Sequence, residues 1–428
     1  MKRTDFKFSG IAAFLLAITL GNAAGAGELG DLLLKALQHP QLRAAARQTE
    51  AAQAMQDAAA GRYFGSAVLS TGWHRYEDSR VVGVFAPGRS QASLTADSIA
   101  QTGVNYSLPV DVFGVIAANQ ERARNDLRAS ELLGRQQTLL KLHQAANAYL
   151  TLQSLLQQRK ALDLSRQRVE ATYQRVRKEF ELGKAAGVDA LYAESELARL
   201  NADEAVLGGA VAQAQADFAE ATGHPQFLPN TSQIHLPRWE NSADMTLPVK
   251  IAEAKQQSAQ AQAEESHRAL LPSFTLDANY FRNSVLGGDH RDTWGMGGVF
   301  TLPLGVSQYR QASAQKLVAA AAVEQSAAAQ RDSERQLASL RAAYESGLAD
   351  AAAMEKEVAY REEVAHVQQK MQQLGNQTLE NLFRHERDLL DARYRLALAK
   401  ARAAAAWSAA QVIMGLPTDT YIARMDAL

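Results

Sequence analysis

Two long stretches of the chain are rich in alanine, glutamine, leucine and arginine and contain few residues that break helices. The first runs from about 116 to 182 and the second from about 308 to 374. Within the second, Leu337, Leu340 and Tyr344 recur at three- and four-residue spacing, the period of a helix with one apolar face. Each stretch therefore predicts a single helix of roughly 65 residues, on the order of 100 Å long at about 1.5 Å per residue.

A Leu-Gly pair interrupts the helical pattern at the end of each long stretch, in FELGKAAGVDAL (180–191) and MQQLGNQTLENL (371–382). Glycine readily adopts the left-handed conformation that closes a helix, so we expect turns at Gly183 and Gly375. The returning helix is predicted to begin near Asp189 in the first copy, and the second turn is predicted to be one residue shorter. Each Leu-Gly pair precedes a Gly-x-Pro stop by about forty residues, which indicates a duplicated architecture.

Shorter helical patterns flank the long ones at about 28–60, 188–222, 248–270 and 379–414. In each half of the chain, two of these patterns come close to one long helix in total length. We therefore expect two half-length helices, stacked end to end, to pack beside each long helix.

Four segments have the two-residue period of strands, at 66–76, 98–109, 273–283 and 293–303. From Phe274 onward, apolar and polar residues alternate, which is typical of a strand with one face in lipid and the other in water. The first segment alternates poorly and is assigned as a strand because it occupies the same place in the repeat. The alternative is that these segments form soluble hairpins.

The connection from Glu77 to Ser98, which contains Gly88, is longer than its counterpart near 283–293. Outer loops of membrane barrels are usually longer than the periplasmic turns, so this connection is expected to lie outside the cell.

The N-terminus has the pattern of an export signal over residues 1–26. Lys2 and Arg3 precede an apolar run over 11–20, and Ala24-Gly25-Ala26 fits a signal peptidase. The alternative is an N-terminal membrane anchor, but the apolar run is only about half the length of a spanning helix. No later stretch is long and apolar enough for such a helix, so any later crossing is expected to use strands.

Composition excludes several classes of function. The net charge of −1 argues against a nucleic-acid-binding protein, and the absence of cysteine excludes disulfides, thiolate metal sites and a lipid-bearing cysteine. The nine histidines are scattered without metal-ligand spacing, and His385-Glu386 is interpreted as a solvated pair on a polar helix face. Gly287-Gly288 does not precede a helix, so phosphate binding is not expected. No catalytic residue, cofactor or bound metal is predicted.

The chain resembles the outer-membrane efflux protein family, the TolC-like channel tunnels, over nearly all of residues 27–428. The resemblance is carried by GELGDLLLKALQHPQLRAAARQTEAA near the start, by the strand exits YSLPVDVFG and FTLPLG, and by the two Leu-Gly turns. The short length also resembles the heavy-metal efflux branch. Glu380-Asn381-Leu382 departs from the family's usual Asp-Val-Leu, and the lipid-bearing cysteine of many relatives is missing.

The resemblance implies a mainly α fold with a transmembrane β-barrel part. Duplicated helical hairpins would form a periplasmic α-barrel, and four strands from each of three chains would form one twelve-stranded barrel, since unpaired strand edges are not tolerated in lipid. The implied domains are a first repeat (27–223), an equatorial linker (224–247), a second repeat (248–417) and a C-terminal tail (418–428).

The implied function is passive conduction across the outer membrane of a Gram-negative bacterium. A periplasmic adaptor and an inner-membrane pump of the RND type would supply substrate and energy, and outer-membrane lipid would surround the barrel. Two alternatives remain open. The duct could serve type I protein secretion, or the chain could be a periplasmic coiled-coil scaffold without a channel.

The turns at the two helix ends carry the candidate functional residues. Asp189 and Glu380 are candidates for a periplasmic gate, because threefold symmetry would turn each carboxylate into a ring that attracts cations. The alternative interpretation is that each carboxylate only stabilises the first turn of a helix. The candidate adaptor-docking residues are Leu182, Gly183, Lys184, Ala185, Ala186, Gly187, Val188, Leu374, Gly375, Asn376, Gln377 and Thr378. Ordinary turn chemistry is the alternative for these residues.

Overall fold

The computed structural model describes residues 28–82, 94–223, 228–229, 234–239, 245–285, 288–374 and 376–428. The predicted export signal, Gly88, Gly287 and Gly375 lie outside the described residues. The described helices are α1 (Glu28–Ala36), α2 (Pro40–Gly61), α3 (Val115–Glu181), α4 (Gly187–Thr222), α5 (Leu247–Arg268), α6 (Val306–Gln373), α7 (Leu379–Met414) and α8 (Thr418–Asp426). The strands are β1 (Ser66–Val81), β2 (Thr95–Val110), β3 (Ser273–Val285) and β4 (His290–Thr301).

The two long predicted helices, α3 and α6, contain 67 and 68 residues. Helices α2 and α4 pack against α3, and α5 and α7 pack against α6, which agrees with the predicted pairing of short helices with long ones. The predicted single helix at 28–60 was wrong, because the chain breaks between α1 and α2. His39 caps α2 by accepting a hydrogen bond from the Gln41 amide, and Pro40 occupies the first helical position.

The four strands form one antiparallel sheet in the order β1-β2-β3-β4, so the central β2–β3 pair joins the two repeats. Cross-strand partners lie on the same face of a sheet, and the register places Leu69, Val104, Tyr280 and Trp294 together on one face. The opposite face is polar. Its central residues include Gln101, Asn105, Asp277, Asn279, Asn283 and Thr293.

The weakly alternating segment at 66–76 is a strand, and it is longer than predicted. Both ends of the expected loop from Glu77 to Ser98 are therefore strand, because β1 continues to Val81 and β2 begins at Thr95. The fourth strand ends at Thr301, two residues before the predicted end at Pro303. Among the described helices, none combines the length and apolarity that crossing a bilayer requires.

Two apolar clusters hold the helices together. The larger one surrounds Leu139 and Leu142 of α3 and includes residues of α1, α4, α7 and α8. The predicted C-terminal tail takes part in this cluster as α8, whose Tyr421 is fully buried. Asp426 accepts a hydrogen bond of 2.7 Å from the Gly30 amide, which joins the last helix to the first. The smaller cluster lies between α3, α4 and α7, toward the ends of the hairpins.

Candidate functional site at the hairpin ends

The first hairpin turns within five residues, Leu182–Ala186, between the end of α3 and the start of α4. Gly183 has φ of +69°, the left-handed conformation that the sequence predicted. The amides of Gly183 and Lys184 donate to the carbonyls of Phe180 and Glu179 at 2.9 and 2.7 Å, which satisfies groups at the helix end. The turn is therefore fixed by its own backbone.

The second hairpin turns within residues 374–378, so its turn has the same length as the first. The prediction of a shorter second turn was wrong. The difference lies at the start of the returning helix, where Thr378 caps α7 by accepting a hydrogen bond from the Asn381 amide at 3.3 Å. At the same place in the first hairpin, Ala186 provides no side-chain cap.

The two turns lie side by side. Arg175, six residues before the end of α3, donates a hydrogen bond to Gln372 near the end of α6. The apolar candidates at this end are not packed inside the chain, since Leu182, Val188 and Leu374 are 69%, 75% and 73% exposed. The hairpin ends thus form one surface with exposed apolar side chains.

Asp189 and Glu380 are both exposed and both lie in the first turn of the returning helices. The first returning helix begins at Gly187, two residues before the predicted position, so Asp189 is its third residue and Glu380 is the second of α7. Among the described residues, neither carboxylate has a salt-bridge partner. This placement agrees both with a role in a periplasmic gate and with stabilisation of the helix N-terminus.

A buried carboxylate, Glu196 of α4, lies about two turns beyond Asp189. It is 5% exposed and forms ion pairs with Arg199 at 2.6 Å and with Arg387 of α7 at 3.0 Å. The hydrogen bond to Glu196 raises the pKa of Arg199 above its ordinary value. Because Arg387 belongs to the second hairpin, this pair connects the two hairpins near their ends.

A second buried carboxylate corrects the interpretation of His385-Glu386 as a solvated pair. Glu386 is 6% exposed and forms an ion pair of 3.2 Å with Arg168 of α3, and the Nδ1 atom of His385 is buried without a hydrogen-bond partner among the described residues. The sequence did contain a signal. Leu382 and Leu390 lie four residues on either side of Glu386, which places the carboxylate on the apolar stripe of α7.

The two ion pairs cross between the hairpins in opposite directions. Arg168 extends from the first hairpin to Glu386 of the second, and Arg387 extends from the second hairpin to Glu196 of the first. Removing one partner of a buried pair leaves an uncompensated charge, so such pairs hold a specific arrangement of the elements that they join. We call these four residues the cross-hairpin clamp. Sequence reasoning did not identify it.

Comparison with known proteins supports this architecture. The family model for outer membrane efflux protein matches residues 33–224. No curated protein matches the sequence.

Solved structures with similar folds include the outer membrane protein VceC from Vibrio cholerae, with 19% identity, coverage of 90% of this chain and 96% of that chain, and a TM-score of 0.74. The CmeC outer membrane channel of Campylobacter jejuni has 15% identity, coverage of 93% and 89%, and a TM-score of 0.75. The MtrE outer membrane channel of Neisseria gonorrhoeae has 19% identity, coverage of 94% and 89%, and a TM-score of 0.67. The first half of the chain thus matches the outer membrane efflux protein family, and the chain has the fold of these outer-membrane channels.

Proposed function

We propose that this protein is the outer-membrane channel of a tripartite efflux system and conducts solutes passively from the periplasm to the exterior. The observation that carries the proposal is the division of the four-stranded sheet into an apolar and a polar face above helices on the order of 100 Å long. Such a sheet fits a barrel with lipid outside and water inside.

The apolar face has the features of a membrane surface. Trp73, Tyr280 and Trp294 are exposed aromatic residues toward one end of this face, where membrane barrels place an aromatic girdle. Immediately beyond Tyr280 and Trp294, Arg282 and Asp292 form an ion pair of 3.0 Å on the same face. The face therefore changes from apolar to charged at the position expected for the outer boundary of the hydrocarbon.

The assembly that we propose is a homotrimer. The sheet leaves one edge of β1 and one edge of β4 without partners among the described residues, and open edges are unfavourable in lipid. Three copies would supply twelve strands and close the barrel. The exposed apolar residues of α6, which include Leu317, Leu348 and Tyr360, would then be covered by a neighbouring copy.

The hairpin ends would form the periplasmic entrance. In a trimer, Asp189 and Glu380 would each occur three times around the axis, and such acidic rings attract cations and narrow a pore. The cross-hairpin clamp lies just beyond them and would keep the two hairpins of each copy together while the entrance is closed. Opening would require the hairpins to separate at these ion pairs.

The exposed surface of the turns would receive the helical hairpins of a periplasmic adaptor, which in turn contacts an inner-membrane pump of the RND type. Small and mildly apolar side chains suit such helix-to-helix contacts. The residues proposed for this contact are Leu182, Lys184, Ala185, Ala186, Val188, Asn376, Gln377 and Thr378.

The proposal is tested first by location and assembly. The protein should sediment with outer membranes, migrate as a trimer in detergent gels without heating, and migrate as a monomer after heating. A peptide tag inserted at Gly88 should be labelled on intact cells. A soluble protein, or a tag that is labelled only after the outer membrane is ruptured, would contradict the proposal.

Docking is tested separately with Ala186→Glu, which places a charge on the exposed turn. We expect efflux to be lost while the yield of heat-modifiable trimer stays unchanged. Val206→Glu is a matched control, since Val206 is also exposed on α4 but lies far from the turn. Normal efflux from Ala186→Glu would argue against contact at the hairpin ends.

A further inference from the structure

A groove of about 520 Å³ lies on the polar face of the sheet. Its lining comes from both edges, since His74, Tyr76 and Arg80 belong to β1 while Thr293 and Gly295 belong to β4. In the flat order of the sheet, β1 and β4 are separated by two strands. The sheet must therefore curve around its polar face for the same groove to reach residues of both edges.

An irregularity in β1 shapes one wall of the groove. Arg75 pairs with Ser98 and Arg80 pairs with Ala96, so four residues of β1 lie opposite a single residue of β2. Bulges of this kind bend a strand and redirect its side chains. Tyr76, within the bulge, stacks on His74 with ring centroids 6.2 Å apart, and the Arg80 guanidinium lies 5.3 Å from the centre of the Tyr76 ring.

The floor of the groove is aromatic and amide-rich. The Phe281 ring lies across Gly103, where a Cβ atom would come within 2.2 Å of the ring. The Gln101 side-chain amide donates to Asn283 at 2.9 Å, and the Asn283 amide donates to Thr293 at 3.2 Å. Asn283 is buried, so this row of hydrogen bonds holds the floor in place.

The charge of the groove has one sign. Among the described residues that line it, none is acidic, and Arg80 has no carboxylate within salt-bridge distance in the described part of the chain. Glu77 and Asp78 of the bulge are not part of the lining. The guanidinium thus keeps its donors for a carboxylate, sulfonate or phosphate group, next to ring faces that can stack on an aromatic molecule.

We propose that this groove binds aromatic anions at the outer end of the pore and favours their export. The inference rests on the proposed channel function and names a class of exported solute. Three copies around one axis would place three Arg80 side chains near the exit, which raises the local concentration of anions. The preference is opposite in charge to the metal cations that the resemblance to the heavy-metal branch implies.

The test uses purified full-length trimers in planar bilayers, with naphthalene-1-sulfonate added to each side in turn. We expect concentration-dependent block of the wild-type current. Arg80→Gln should raise the half-blocking concentration about tenfold, the change expected when one charge-assisted contact is lost. Arg80→Lys should retain most of the block, and Phe281→Leu should weaken it severalfold.

The matched control is Arg75→Gln, which removes the same charge from the same strand at a residue that does not line the groove. Its half-blocking concentration should stay within about twofold of wild type, and neutral naphthalene-1-methanol should block wild type and Arg80→Gln equally weakly. Equal block of Arg80→Gln and Arg75→Gln would overturn the groove proposal alone. Heat-modifiable trimers that conduct no ions in any variant would instead overturn the channel function.

Discussion

The two long helices have nearly the same length but very different surroundings. Of the 67 residues of α3, 23 are buried, whereas only 7 of the 68 residues of α6 are buried. Helix α3 packs against α2, α4, α5 and α7, while α6 packs against α5 and α7. The difference indicates that α3 is an interior helix of the single chain and that α6 needs a further partner to cover its apolar side chains.

The contacts that hold the two helices also differ in kind. In the first half of α7, the buried apolar side chains, such as Leu382 and Phe383, belong to the cluster shared with α3 and α4. Toward α6, α7 forms a row of ion pairs: Glu355–Lys400 at 2.6 Å, Arg361–Asp388 at 2.6 Å and Glu362–Arg393 at 2.5 Å. Partly exposed ion pairs contribute little individually, so α6 is held less firmly within the chain than α3.

The largest expected effect comes from matched truncations in the two long helices. Leu162→Ala in α3 removes a side chain that is 0% exposed and should destabilise the folded chain by about 2–5 kcal/mol. Leu348→Ala in α6 removes one that is 44% exposed and should change the melting temperature of the separated chain little while weakening the trimer. Circular dichroism melts and unheated detergent gels measure the two effects. Similar losses in both variants would show that α6 is as deeply packed as α3.

The next effect concerns the cross-hairpin clamp. Glu386→Gln should destabilise the protein by about 1–2 kcal/mol, a value reduced because its partner Arg168 is partly exposed. The channel should also open more often, because the hairpins would separate more easily. Glu345→Gln in α6 is the control, since this exposed carboxylate pairs with Arg341 along its own helix. If thermal melts and single-channel recordings do not distinguish the two variants, the clamp has no special role.

A smaller effect on stability is expected at the starts of the two returning helices, which differ in their capping. Thr378→Ala removes the cap of α7 and should cost about 1 kcal/mol. Ala186→Thr should stabilise the start of α4 by up to about the same amount, because Ala186 has nearly the backbone conformation of Thr378. Amide hydrogen exchange over the first turns of α4 and α7 is the appropriate measurement. A loss of protection in Ala186→Thr would contradict the comparison.

The smallest expected effect comes from the acidic residues at the proposed entrance. Asp189→Asn together with Glu380→Gln should weaken block by periplasmic-side divalent cations about threefold and raise the open probability. The single variants sharpen the comparison of the hairpins, and we expect Asp189→Asn to account for most of the change. Wild-type block in the double variant, combined with a lower melting temperature, would assign both carboxylates to helix stabilisation alone.

The sequence by itself determined the elements whose causes are local. The start and end of α3 and α6 follow from helical periodicity and from breakers such as Gly183, and they were predicted to within two residues. The strands and the apolar face of the sheet follow from alternation and from the repeat. These features depend on neighbours three or four residues away in helices and two residues away in strands, so a single sequence contains the information.

Only the tertiary structure decided which surfaces those elements present to one another. Glu196 and Glu386 were not recognised as buried, because each carboxylate pairs with an arginine of the other hairpin that lies far away in sequence. The role of α8 depends on Gly30, almost four hundred residues away in sequence. The groove around Arg80 depends on the curvature of the whole sheet, which brings residues of β1 and β4 into the lining of one groove. Such contacts join residues that are distant in sequence, and local periodicity does not specify them.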